Sequence, residues 1–207
     1  MNSLHLQPGD SVEITQEDQL RAGTYALLGA LLRAVPDRAL LDRLLAIKLT
    51  ETEAAETAIG QAWLALRQAA EQVSPDPLDD EFHALFIGVG RGELVPFSSW
   101  YLTGFLMERP LGELRAELAR LGYQRQSQVQ EPEDHISALC EVMALAIQDP
   151  DLSFADQRRF FQTYLADWAE TFFMDLEKAK TAHFFKSVGL FGKEFIGLEK
   201  QYFEMAV

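Results

Sequence analysis

Residues 131–149, EPEDHISALCEVMALAIQD, constrain the fold more than any other stretch of the chain. Pro132 suits the first position of a helix, where its missing N–H has no partner to lose. Glu131, Glu133 and Asp134 would crowd the first turn, where negative charge complements the positive end of the helix dipole. Beyond them Ile136, Leu139, Cys140, Val142, Met143, Leu145, Ala146 and Ile147 place apolar side chains around most of the helix. The polar exceptions Asp134, Ser137 and Glu141 fall on one narrow stripe. A helix apolar on nearly every side is walled in by other elements. The segment predicts a central rod whose acidic start, polar stripe and His135 face water or a groove.

The remaining chain supplies helices to surround it. Thr15 with Asp18 forms a capping-box pattern, and Leu20, Tyr25, Leu27, Leu28, Leu31 and Leu32 follow at helical spacing until Pro36. Asp37 restarts a short helix, and Thr50 or Thr52 is suited to cap a third that carries Ile59, Trp63, Leu66 and Ala70. The SPDP string at 74–77 reads as a breaker, and the spacing of Phe82, Leu85 and Phe86 predicts a fourth helix from Asp79 to about Ile87. Gly88, Gly90, Gly92 and Pro96 then interrupt the pattern. This glycine run lacks the Lys-Ser/Thr ending of a P-loop and follows no strand, so it reads as a helix C-cap and loop. Phe97 to Met107 is rich in aromatics. Pro110 opens a helix that Gly122 ends, and residues 124–130, QRQSQVQ, read as an exposed connector. Pro150 and Ser153 separate the central helix from a Phe-rich helical run that continues to Leu198. No stretch alternates with period two. The fold class is all-α: a bundle of roughly nine to eleven helices around a buried central helix.

Composition narrows the function. A net charge of −14 sets phosphate repulsion against any nucleic-acid surface and attracts partners that carry Arg or Lys. The single cysteine, Cys140, lies among the apolar residues of the central helix and reads as a packed thiol. The N-terminus has no secretory pattern and no window is apolar for long enough to span a membrane, so a cytoplasmic protein without stable membrane insertion is expected.

No catalytic or metal constellation stands out. Glu131, Glu133, Asp134 and His135 are metal-ligand types, but neighbours at a helix start point in different directions, and no HExxH accompanies them. No nucleophile in a recognisable motif joins Asp134 and His135. The aromatics Phe82 and Phe86 read as core. Phe97 and Tyr101, flanking Ser98 and Ser99, also suit the wall of an apolar groove.

Three blocks of the sequence resemble the TorD/DmsD family of cytoplasmic chaperones for molybdenum-containing oxidoreductases: EFHALFIG (81–88) followed by PFSSWYL (96–102), EPEDHI (131–136), and the spaced Leu, Trp and Phe from Leu165 to Phe185. Together they cover about residues 15–200. Where many members have Gly-Pro, this chain has Gly88-Val89-Gly90. The resemblance implies a single TorD-like domain over 1–207, with sub-parts 15–123 and 131–207 joined by the polar linker 124–130. It also implies no catalysis and no metal. The partner would be a molybdenum-containing reductase precursor, bound through its twin-arginine signal peptide and apoenzyme until folding and cofactor insertion are complete. Asp134, His135 and Glu131 would form the peptide site with Phe82, Phe86, Phe97 and Tyr101. No cofactor is expected beyond the weak guanine-nucleotide binding of some members, and the chain would be a monomer or a domain-swapped dimer. Two other readings remain: a chaperone for a nitrate-reductase-type catalytic subunit, and a metal-dependent helical enzyme using Glu131, Asp134 and His135.

Overall fold

The computed structural model describes residues 14–47, 54–88, 91–124 and 131–205. The N-terminal arm, Thr50, Thr52, Val89, Gly90 and residues 125–130 of the connector lie outside them. Among the described residues the α-helices are, in order, α1 Gln16–Arg33, α2 Arg38–Ala46, α3 Ala58–Gln72, α4 Pro75–Phe82, α5 Ser98–Thr103, α6 Arg109–Arg120, α7 Ile136–Gln148, α8 Phe154–Tyr164, α9 Ala169–Lys178 and α10 Phe184–Met205. A π-helical turn, His83–Ile87, extends α4. Among the described residues the only β pairing is one isolated bridge, between Phe97 and His135. The all-α expectation is met.

Local chemistry explains most boundaries. The Thr15 hydroxyl accepts the Asp18 N–H at 3.1 Å while the Asp18 carboxylate accepts the Thr15 N–H at 3.3 Å, which closes the capping box. Ser153 and Asp156 repeat it at α8, and Asp37 caps α2. Gly122 takes the left-handed conformation (φ 82°) that ends α6. Three boundaries differ from expectation. Thr57 caps α3, its hydroxyl accepting the Gly60 N–H. The SPDP string opens α4 and does not precede it, because Pro75 stands in the first turn, where no N–H is needed. The central helix begins at Ile136, with His135 as its N-cap, so Pro132 and the three acids form a turn outside it.

α7 packs against α1 on one side and α8 on another. Gly29 permits a close crossing with α1: a Cβ there would lie 3.1 Å from the Ser137 carbonyl oxygen and 3.3 Å from Glu141 Cγ. Ile136, Leu139, Cys140, Met143 and Ile147 are buried, and burial pushes the Cys140 thiol up, as a packed thiol requires. The rod is not closed all round. Leu145 is 54% exposed, and Ala138 and Val142 are half-buried on the same stripe. α10 packs against α9 and α3, with Trp63 edge-on to Phe191 at 5.1 Å and Tyr25 edge-on to Phe195 at 4.7 Å. The C-terminal phenylalanines are core.

Candidate functional site

The PFSSWYL and EPEDHI blocks, far apart in sequence, are stitched into one unit. Ser98 N–H donates to the Asp134 carbonyl at 3.0 Å and Ile136 N–H to the Pro96 carbonyl at 2.9 Å, closing the Phe97–His135 bridge. Phe97, at the N-cap of α5, has no side-chain oxygen to satisfy the helix start. Asp134 supplies one from across the bridge: its Oδ2 accepts the Ser99 N–H at 3.0 Å. Asp134 is fully buried in this role.

His135 caps the next helix. Its Nδ1 accepts the Ser137 N–H at 3.1 Å and lies 2.7 Å from the Ser137 hydroxyl. That bond assigns the proton of the neutral ring to Nε2. Burial holds the imidazole down to a pKa of about 4, so it is neutral near pH 7. Its ring meets Phe97 edge-on, with centroids 5.0 Å apart.

Around this unit lies a cavity of about 270 Å³ whose lining includes Phe82, Phe86, Phe97, Glu131, His135 and Arg33. Phe82 and Phe86 are placed by the α4 π turn and by Phe185, whose ring lies 5.7 and 5.4 Å from theirs. Glu81 fixes that turn to α10. Its buried carboxylate accepts the N–H groups of His183, Phe184 and Phe185 at 2.7, 3.1 and 2.8 Å, capping the start of α10. A second cavity of about 250 Å³ shares Arg33, Glu131 and His135 and is floored by Ala138, Val142 and Leu145. The groove is therefore floored by the apolar stripe of α7. Ser137 of the expected polar stripe is buried, and Glu141 stands at the edge, 3.1 Å from Arg33. Glu133 pairs with Arg115 at 2.8 Å, and partial desolvation raises the Glu131 carboxyl above its ordinary range.

The structure thus brings Glu131, His135, Phe82, Phe86 and Phe97 together and leaves two expected site residues out of the lining. Asp134 lies beneath the site as a cap. Tyr101 faces away, donating to Asp175 at 3.0 Å and packing on Trp168 and Phe172. Arg33, Glu81 and Ser99 belong to the site's construction and were not singled out in the sequence. Only the Ser98-Ser99 start of an aromatic segment hinted at a capped helix. Among the described residues no group of three His, Cys, Asp or Glu side chains is placed to hold a metal ion. No described helix is long and apolar enough to cross a membrane.

The sequence model of the nitrate reductase delta subunit family matches residues 52–174, which is more than half of the chain and includes both stitched blocks. The chain belongs to that family. Two family-type relatives, both called chaperone protein TorD and coming from Vibrio vulnificus strains YJ016 and CMCP6, are each 29% identical over 103 residues, covering 44% of this chain and 48% of the relative. The TorD/DmsD resemblance read from the motifs is borne out. The chain spans about half the length of these curated relatives. A crystal structure of a candidate redox enzyme maturation protein from Archaeoglobus fulgidus superposes with a TM-score of 0.58, covering 95% of this chain and 99% of that one at 18% identity. At that identity the likeness speaks for the fold of this family member.

Proposed function

We propose that this chain is a cytoplasmic maturation chaperone for a molybdenum-containing redox enzyme, which holds the client's twin-arginine signal peptide until the enzyme is assembled. One observation carries the reading: three aromatic rings, a carboxylate and a neutral histidine surround a single cavity at the Glu131–His135 turn. Guanidinium groups pair directionally with carboxylates, while the rings cover the adjoining apolar side chains. The pairs Arg33–Glu141 and Arg115–Glu133 are exposed on the arginine side, and such pairs contribute only about 0–1 kcal/mol. An incoming arginine can therefore exchange with the resident one at little cost. A histidine held neutral adds no repulsion, and the net charge of −14 favours the encounter.

The family name supports a second reading, in which the client is a nitrate-reductase-type catalytic subunit without an exported signal. Calorimetric titration separates the two. A twin-arginine peptide is expected to bind at least about fivefold tighter than its twin-lysine counterpart, and Phe86→Ser to weaken it by roughly tenfold. Equal affinity for both peptides, unchanged by Phe86→Ser, would defeat the signal-peptide reading. Binding of a signal-less client N-terminus alone would favour the second.

A further inference from the structure

We infer that the turn Leu102–Met107 is a docking platform for the apolar segment that adjoins the basic pair of the bound polypeptide. The inference rests on the peptide-binding reading above and extends it to a surface outside the aromatic cavity. Leu102, Phe105, Leu106 and Met107 are 45%, 67%, 47% and 73% exposed, a concentration of apolar surface in six residues that a monomer rarely leaves uncovered.

The turn is built to present them. The Thr103 hydroxyl donates to the Ser99 carbonyl at 2.8 Å, and the Phe105 N–H donates to that hydroxyl at 3.2 Å. Gly104 ends α5 in the left-handed conformation, its N–H donating to the Trp100 carbonyl. Met107 also holds a left-handed conformation (φ 59°), which a side chain with a Cβ adopts only at a cost. A surface ordered in advance loses less freedom on binding.

Continuity names the occupant. A depression lined by Met107, Glu108, Arg109, Leu111, Arg115 and Pro132 borders the turn. Pro132 also lines the cavity floored by Ala138, Val142 and Leu145, and that cavity shares Arg33, Glu131 and His135 with the aromatic one. The three adjoin one another over the Glu131–His135 turn, which supplies a carboxylate in their middle, and the exposed apolar side chains of Leu102–Met107 stand beyond the charged rim of Glu108 and Arg109 at the far end. A chain with a cationic stretch next to an apolar one matches that order. An anionic lipid surface does not suit a protein of charge −14.

The test uses the full chain, its Phe105→Ser/Met107→Asn variant and two peptides, one with the arginine pair and its apolar stretch, the other ending after the pair. Asn tolerates the left-handed backbone, and both sites are exposed, so the helical content and melting curve are expected to stay unchanged. The wild type is expected to bind the longer peptide roughly tenfold tighter than the shorter. The variant should lose that advantage and hold the shorter peptide as before. Undiminished binding of the longer peptide by the variant overturns the platform while leaving the arginine site standing. Failure of both peptides on the wild type overturns the underlying reading and the platform together. A dimer that the variant dissociates, with peptide affinity unchanged, would assign the turn to a second copy and also overturn the inference.

Discussion

His135 lines the groove, bridges to Phe97 through its backbone and caps α7 through its ring, and the cap needs the neutral ring, whose Nδ1 accepts the Ser137 N–H. Folding lowers its pKa from an ordinary value of about 6.5 to about 4. The unfolded chain binds a proton as pH falls through 6.5, whereas the folded chain resists until about 4. Stability is therefore full above about 6.5 and declines across that window, by about 2–3 kcal/mol towards its lower end. His135→Asn keeps a side-chain oxygen at the cap and removes the titration. Urea unfolding at pH 7 and 4.5 should show a smaller acid loss in the variant, and equal losses would exclude His135 as the cause. The resemblance placed Asp134 and His135 together at the peptide site, and in the structure each caps a helix. Asp134's task was hidden because the Ser99 N–H that it accepts lies 35 residues away.

Several ends closed by neighbouring residues were readable from the sequence: the Thr15 box, the Asp37 cap and the Gly122 stop. Ends decided by distant partners were not. α7 starts late because Asp134 is drawn to α5, and α10 starts where Glu81 of α4 accepts its N–H groups. Close helix crossings were also unreadable, since a glycine in an apolar run does not say what approaches it. Gly189 of α10 is such a case. A Cβ there would lie 2.5 Å from the Glu177 nitrogen and 2.8 Å from the Phe173 carbonyl oxygen, both backbone atoms of α9 that cannot turn aside. Gly189→Ala should cost about 1–3 kcal/mol. Gly197→Ala, on the same helix with nothing within 4 Å, should be neutral or slightly stabilising. Thermal melts of the two variants provide the check, and equal effects would mean that the α9–α10 seam is not close-packed.

At the scale of the whole molecule, the parts before and after residues 124–130 share one core, since α1 packs on α7 and α3 on α10. A buried polar tie across it is Arg21–Glu199, whose partners are 178 residues apart. Nε and Nη2 of Arg21 donate to the two oxygens of Glu199 at 2.7 and 2.9 Å. The guanidinium also lies over the Tyr202 ring at 4.1 Å and reaches Asp18 at 3.1 Å. Both side chains of the main pair are less than a tenth exposed, so neither charge has water as an alternative. Glu199→Ala strands a buried cation that Asp18, nearer the surface, only partly compensates, and about 3 kcal/mol of stability should be lost. Arg21→Met together with Glu199→Leu removes both charges and refills the volume, so the double variant should recover most of that loss. Urea titrations of the single and double variants give the coupling directly. If the losses simply add, the pair is not acting as a unit, and the tie between the chain's two ends must reside in the surrounding aromatic packing.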